Sequence, residues 1–333
     1  MKRYLFLLLI CLLSCLKLQA QQMEALNRLN DDGYNYWFYT PDTTDTQKTL
    51  KPLIVFLHGQ SLCGRNINEV LRYGTLDALR RGREIDSYVV APQNPGGRWD
   101  PKKIIDLVDW AIDHYSVDSC RVYVLGMSLG GFGTINVAAA YPDRFAAAMA
   151  LCGGGNDPNY ENLCKIPLWI LHGTADKAVK IRDSEEVVQG MNKVCKPERI
   201  MFDRLKGKNH SVLARIFYMP QTYQWLFSHS LSDSARVINR DYSILDKDFS
   251  TAYNDLTSPS WQKIKLIRSI TKSGGKNSSQ DEDYTGTQIH RVRQGDTLSA
   301  IARRYHTSVA KLCRLNGIKE TSILRLGQKI KVK

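Results

Sequence analysis

From residue 34 the chain alternates short, nearly continuous apolar runs with longer stretches in which apolar residues recur every three or four positions. The continuous runs read as strands covered on both faces. They are YNYWFYT (34–40), PLIVFLHG (52–59), SYVVAPQ (87–93), CRVYVLG (120–126), FAAAMALCGG (145–154), PLWILHG (167–173) and ERIMFDRL (198–205). Helical periodicity fills the intervals: INEVLRYGTLDALRR (67–81), KKIIDLVDWAIDHY (102–115), the stretch after Ser128, IRDSEEVVQGMNKV (181–194) and VLARIFYMPQTYQWLFSHS (212–230). Asp100 and Pro101 supply an N-cap and a first-turn proline for the second of these, and Pro220 must kink or split the last. Strands alternating with helices predict an α/β domain with a doubly wound, mostly parallel sheet.

Both ends of the chain leave this pattern. Lys2 and Arg3 precede a 13-residue apolar run, Tyr4 to Leu16, and Ala20 closes the segment. That layout is a secretory signal peptide, too short for a membrane span of about 20 residues. An exported protein is expected, in the periplasm, the cell envelope or outside the cell. Leu12-Leu13-Ser14-Cys15 offers a lipoprotein signal instead, so membrane attachment is expected only through a lipidated Cys15. After Ser230 the periodicity weakens. SPSWQKIKLIRSI (258–270) reads as a docking or spacer helix, with membrane contact as an alternative, and SGGKNSSQDEDYTGTQ (273–288) as a polar linker. The expected organisation is a signal peptide at 1–20, an α/β domain at 21–230, a linker at 231–288 and a small module at 289–333.

Charge separates these parts. Residues 21–230 carry 24 Lys/Arg against 23 Asp/Glu, residues 231–288 carry 8 against 8, and residues 289–333 carry 11 against 2. The net charge of +13 therefore sits mostly in the last 45 residues. Export argues against nucleic acid as the partner of that basic module. Beyond the signal segment the cysteines are Cys63, Cys120, Cys152, Cys164, Cys195 and Cys313, without zinc-like spacing. A disulfide within Cys152, Cys164 and Cys195 fits an exported chain, with the pairing left open.

GMSLGG at 126–131 joins a strand to a helix through a serine flanked by glycines. Such a turn lifts a hydroxyl clear of the sheet edge, and small neighbours let strand and helix approach. A serine hydroxyl needs a histidine base, and the histidine needs a carboxylate to hold its tautomer. Asp176 follows a strand end 48 residues after Ser128, and His210 lies 34 residues further, before the final helix. Asp203 is the runner-up acid, one strand late. His58 and His172 read as hydrogen-bonded side chains of strand-end turns, His114 and His229 as surface residues. The backbone N–H groups of Leu129 and Gln60 are the candidate oxyanion donors.

LHG at 57–59, APQ at 91–93, GMSLGG, HGTAD at 172–176 and Asn209-His210 together resemble secreted members of the alpha/beta-hydrolase superfamily, such as feruloyl esterases, polyhydroxybutyrate depolymerases and dienelactone hydrolases. The resemblance implies hydrolysis of an ester-bearing substrate through an acyl-enzyme on Ser128, with neither metal nor cofactor. It also offers Arg98 and Trp99, after APQ, as substrate contacts, with Trp99 packing over the start of the following helix as the alternative. The tail, from VRQGDTLSAIA through Asn316 to LGQKIKV, resembles a complete LysM domain of βααβ form. That resemblance implies binding of peptidoglycan or another N-acetylglucosamine glycan in a shallow groove. Asp296, Thr297 and Leu298 would line one side, and Ile318 and Leu324 the other; Leu298 and Leu324 equally fit core positions. The leading reading is an exported serine esterase held on glycan. The alternatives are a serine peptidase of the same fold and a glycan-binding protein with an inert hydrolase domain.

Overall fold

The computed structural model describes residues 21–42, 49–156, 158–195, 198–256 and 264–268, and in the tail 289–292, 296–298, 301, 302, 305, 309–319, 322, 324 and 327–332. The signal segment with Cys15, and the stretch 273–288, lie outside the described residues. The chain divides into two compact units, Met1–Thr271 and Lys272–Lys333.

The first unit is built on one sheet. Its strands are β1 (Gln22–Leu26), β2 (Tyr36–Thr40), β3 (Lys51–Leu57), β4 (Tyr88–Pro92), β5 (Val117–Met127), β6 (Ala147–Leu151), β7 (Leu168–Gly173), β8 (Ile200–Leu205) and β9 (Lys265–Arg268). They lie in the order β8-β7-β6-β5-β3-β4-β2-β1-β9. Only β2 runs against its neighbours, pairing antiparallel with β1 and β4. Every strand between β4 and β8 is parallel to the next, as continuous apolar runs require.

The helices are α1 (Thr75–Arg80), α2 (Pro101–His114), α3 (Leu129–Ala140), α4 (Tyr160–Leu163), α5 (Ile181–Val194), α6 (Pro220–Phe227) and α7 (Asp246–Thr251). Strand residues alternate between two cores. Ile54 and Phe56 of β3 face a cluster with Leu76 of α1, Phe217, and Trp225 of α6. Leu53, Val55 and Leu57 face the opposite cluster with Ile104 of α2, Ile135 of α3 and Val187 of α5. The Asp100 side chain caps α2 by accepting from the Lys102 N–H at 2.8 Å. Pro220 splits the last expected helix into a 3-10 stretch, Ser211–Tyr218, and α6. Among the described residues no helix is long and apolar enough to cross a membrane.

Three expectations are corrected here. The periodic stretch 67–81 is broken into a 3-10 turn, Ile67–Leu71, and α1, because Gly74 adopts φ 95° and packs where a Cβ would lie 2.0 Å from the Phe56 ring. Within 258–270, residues 265–268 form a strand that pairs parallel with β1, whose sequence QMEAL gave too short a signal to be read as a strand. Ile238, Ile244, Phe249, Ala252 and Ile264 join the first core, so the described residues 231–256 and 264–268 contribute packed structure where a linker was expected. Cys164 and Cys195 form a disulfide; Cys63, Cys120, Cys152 and Cys313 are free thiols.

The second unit pairs β10 (Ile289–Arg291) antiparallel with β11 (Lys329–Lys331) and carries α8 (Val309–Asn316). Val292, Leu298, Ile301, Ala302, Leu312, Ile330 and Val332 fill its core. Asn316 ties α8 to β11: its Oδ1 accepts from the Lys331 N–H, and its Nδ2 donates to the Lys331 carbonyl, both at 2.7 Å.

Candidate active site

β5 ends at Met127 and α3 starts at Leu129, leaving Ser128 alone in the turn with φ 60° and ψ −122°. Such backbone costs about 1–3 kcal/mol for a non-glycine residue and needs its surroundings to hold it. Here the Ser128 N–H donates to the Leu151 carbonyl at 2.9 Å, and the Ser128 carbonyl accepts from the Phe132 N–H at 3.0 Å. The glycines are required by close approach. A Cβ on Gly126 would lie 2.4 Å from the Gly130 carbonyl oxygen, and one on Gly130 would lie 1.9 Å from that of Leu57.

Asp176 stands in the turn after β7 with its side chain fully buried. Its Oδ1 accepts from the N–H groups of Ala178 and Val179 at 2.8 and 2.9 Å. Its Oδ2 accepts from Nδ1 of His210 at 2.7 Å. His210 lies at the head of the 3-10 stretch after β8, with 26 % of its side chain exposed. With Nδ1–H committed to the carboxylate, Nε2 is the ring nitrogen left to exchange a proton with a reacting group. Asp203 is engaged elsewhere: its carboxylate accepts from the Trp169 indole N–H at 3.0 Å, and burial raises its pKa. Ser128, Asp176 and His210 follow β5, β7 and β8 at the carboxyl edge of the sheet, where open α/β sheets place ligands.

The loop after β3 faces the serine. A Cβ on Gly59 would lie 3.3 Å from Cβ of Ser128. His58 is fully buried, and Nε2 accepts the Asn94 N–H at 3.0 Å, so the proton sits on Nδ1 and is donated to the Gly59 carbonyl at 2.9 Å. Burial pushes its pKa down to about 4, keeping the ring neutral. The Gly59 N–H donates to the Tyr73 hydroxyl at 3.0 Å. Gln60 then opens a 3-10 turn, as Leu129 opens α3. The first N–H groups of a helix have no intrahelical acceptor, which makes both residues suited to donate to a bound oxyanion.

Trp99 does not have the exposure expected of a substrate contact. It is 3 % exposed, its indole N–H donates to the His58 carbonyl at 3.3 Å, and its ring packs edge-on against His58 and Tyr34. It is a wall of the His58 loop, while Arg98 beside it is exposed. His229 is likewise buried instead of superficial: it packs on Trp225, and its Nε2 accepts the Asn239 N–H at 3.0 Å. His114 is exposed, stacked on Trp110. His172 is buried beside Asp176, its Nε2 bonded to the Val179 carbonyl at 3.0 Å.

Sequence reasoning missed two neighbours of the site, Tyr73 and Cys152. Neither lies in a recognisable motif. Cys152 is fully buried at the end of β6 with φ 39°. Its sulfur, an Asp176 carboxylate oxygen and a ring nitrogen of His210 lie within 4.8 Å of one another, which makes these three the group able to approach a metal ion among the described residues. Asp176 and His210 are already bonded to one another through Oδ2 and Nδ1.

In the second unit, Leu298 is 6 % exposed and belongs to the core. Asp296 bonds Nε2 of buried His290 at 2.7 Å, and the Tyr305 hydroxyl lies 3.1 Å from Nδ1 of that ring. Thr297 is exposed, and Ile318 and Leu324 are half-buried.

Residues 290–333 match the LysM domain family, and residues 88–156 match the prolyl oligopeptidase family. Feruloyl esterase B of Thermothelomyces thermophilus is 28% identical over 156 residues, covering 42% of this chain and 50% of that protein. Acetylxylan esterase A of Emericella nidulans is 28% identical over 183 residues, covering 45% and 55%. Feruloyl esterase B of Talaromyces funiculosus is 40% identical over 152 residues, covering 40% and 41%. The chain thus spans about half the length of the first two of these relatives. Among solved structures, a thermostable esterase superposes with a TM-score of 0.55 at 23% identity, covering 65% of this chain and 64% of that one. The sheet order, the helices on both faces and these likenesses together make the first unit an esterase-like alpha/beta-hydrolase fold, followed by a LysM-like C-terminal segment.

Proposed function

We propose that this chain is an exported serine hydrolase that cleaves carboxylic esters through an acyl-enzyme and is held on peptidoglycan, or a related N-acetylglucosamine glycan, by its tail. The observation that carries the reading is the buried Asp176 carboxylate bonded to Nδ1 of His210 at 2.7 Å, at the sheet edge that also presents Ser128 on a strained turn. In this mechanism Nε2 of His210 takes the proton as the Ser128 hydroxyl oxygen attacks the ester carbonyl. The resulting imidazolium is stabilised by Asp176. The N–H groups of Gln60 and Leu129 receive the oxyanion, each such donor being worth about 3–4 kcal/mol of barrier. Collapse expels the alcohol with the proton from His210. Water, deprotonated by the same nitrogen, then releases the acid and restores the serine.

Esterase names among the relatives support an ester substrate. The Cys164–Cys195 disulfide supports an oxidising compartment. A peptidase reading is favoured by the match of residues 88–156 to the prolyl oligopeptidase family. The same residues would serve it, so the substrate decides. Purified protein is tested on short acyl esters and on aminoacyl amides, with Ser128→Ala as control. Serine-dependent turnover of esters with little of amides is expected; the reverse preference establishes the peptidase.

A further inference from the structure

Asp176 is held by more than its own turn. Cys152, from the neighbouring strand end, carries a fully buried thiol whose sulfur lies within 4.8 Å of an Asp176 carboxylate oxygen and of a ring nitrogen of His210, and the Ser128 N–H donates to the carbonyl of Leu151, the residue before Cys152. The backbone there is unusual. Among the described residues only Ser128, Cys152 and Arg236 adopt positive φ without being glycine, and the first two are linked through the Ser128 N–H and the Leu151 carbonyl at 2.9 Å. A non-glycine residue at φ 39° persists only where its surroundings over-determine it. The Cys152 N–H donates to the Leu171 carbonyl at 2.9 Å, and the following Gly153 packs on α3, where a Cβ would lie 2.4 Å from the Gly131 carbonyl carbon. The strand end is thereby turned so that the sulfur lies beside the acid.

From this geometry we infer that Cys152 is a positioning residue, which orients the Asp176 carboxylate toward His210 and couples it to the turn carrying Ser128. The inference rests on the serine-hydrolase reading. Burial, and then the charge of Asp176, raise the thiol's pKa well above its usual range, so at neutral pH the sulfur keeps its proton and acts as a donor. Ala178 and Val179 hold Oδ1 and His210 holds Oδ2, and the S–H, within 4.8 Å, is the further donor that would fix the rotation of the group about its own axis. His172 closes the remaining side, with Nε2 3.6 Å from Oδ2 and bonded to the Val179 carbonyl. The thiol touches no substrate atom in this scheme and acts through Asp176 alone.

The test compares full-length wild type with Cys152→Ala, Cys152→Ser and Cys152→Gly. Steady-state turnover of a short acyl ester is measured together with the far-downfield proton resonance of the imidazole N–H shared with the carboxylate. Loss of the donor should lower kcat about tenfold while leaving KM within about twofold, since a misaligned acid weakens the transition state more than binding. The resonance should shift and broaden in Cys152→Ala. Serine retains a donor of similar shape and should recover most of both signals. Glycine relieves the backbone at φ 39° yet removes the donor, so a folded Cys152→Gly should show the same loss of kcat. Wild-type kcat and an unmoved resonance in either thiol-free variant would overturn the inference, as would a serine variant no better than alanine. A wild type without serine-dependent turnover would defeat the serine-hydrolase reading, and the resonance would still report whether Cys152 orients the pair.

Discussion

Gly130→Ala is the smallest change that should separate catalysis from folding at this site. A Cβ at residue 130 would lie 1.9 Å from the Leu57 carbonyl oxygen, 2.6 Å from its carbon and 2.9 Å from the His58 carbonyl oxygen. All three atoms are backbone, so no side chain can swing aside. Ordinary contact begins near 3.4 Å, and α3 must therefore retreat from the β3 end by about 1.5 Å, or the β3 end must bend. Either movement displaces the Leu129 N–H relative to Gln60, and a shift of about 1 Å at a reacting centre costs on the order of 100-fold in rate. Overpacking of this kind costs about 1–3 kcal/mol of stability, and each kcal/mol moves Tm by about 2–4 °C in a domain of this size. The assay is kcat/KM on a short acyl ester beside thermal unfolding of the same preparations. A variant that keeps wild-type Tm and wild-type kcat/KM would refute the reasoning, because the contact between strand end and helix start would then be looser than described.

Asp176→Asn should lower kcat on the same ester by about 10⁴, through loss of the tautomer that Oδ2 imposes on His210, while Asp203→Asn should leave it within about threefold; the opposite ranking would reassign the acid. Acid should weaken the fold through buried neutral histidines. The pKa of His58 falls from 6.5 to about 4 in the native state, so between those values the unfolded chain binds a proton that the native chain refuses. Its contribution is complete above pH 6.5 and is lost as pH falls towards 4, with His172 and His229, both lowered by burial, acting in the same direction. Urea unfolding at pH 7 and pH 4.5 should differ by about 3 kcal/mol, and His58→Gln should reduce that difference; equal stabilities would contradict neutral burial. Removing residues 289–333 should spare turnover of a soluble ester and abolish retention on insoluble peptidoglycan. Retention of the full chain should persist in 1 M salt, where charge is screened within about 3 Å, and yield to N-acetylglucosamine oligomers; release by salt alone would leave only a basic anchor.

The legibility of the sequence follows the range of the forces involved. Strands β2 to β8 were visible because two-sided burial writes a continuous apolar run, and the turn at Ser128 was visible because close approach demands glycine at fixed spacing. Asp176 and His210 followed from order along the chain. β1 and β9 were not legible: each is short, and their pairing joins residues more than two hundred positions apart. Trp99 was misplaced for a related reason. An aromatic residue in a glycine-rich loop carries no local mark of burial, and only the tertiary contacts to His58, Tyr34 and Gly133 bring it inside. The same holds for Cys152, whose approach to Asp176 depends on the spacing of β6 and β7. In the tail the period of the core was readable, whereas the pairing of Asp296 with buried His290 was not.

The central claim is that Ser128 is the nucleophile and is activated by His210. Labelling of the folded protein with a serine-directed phosphonate, followed by mass-spectrometric mapping of the adduct, tests it most directly. A single adduct on Ser128 is predicted, forming with the same pH dependence as ester turnover and lost in His210→Ala. An adduct on another serine, or labelling of Ser128 that proceeds equally fast without His210, would contradict it.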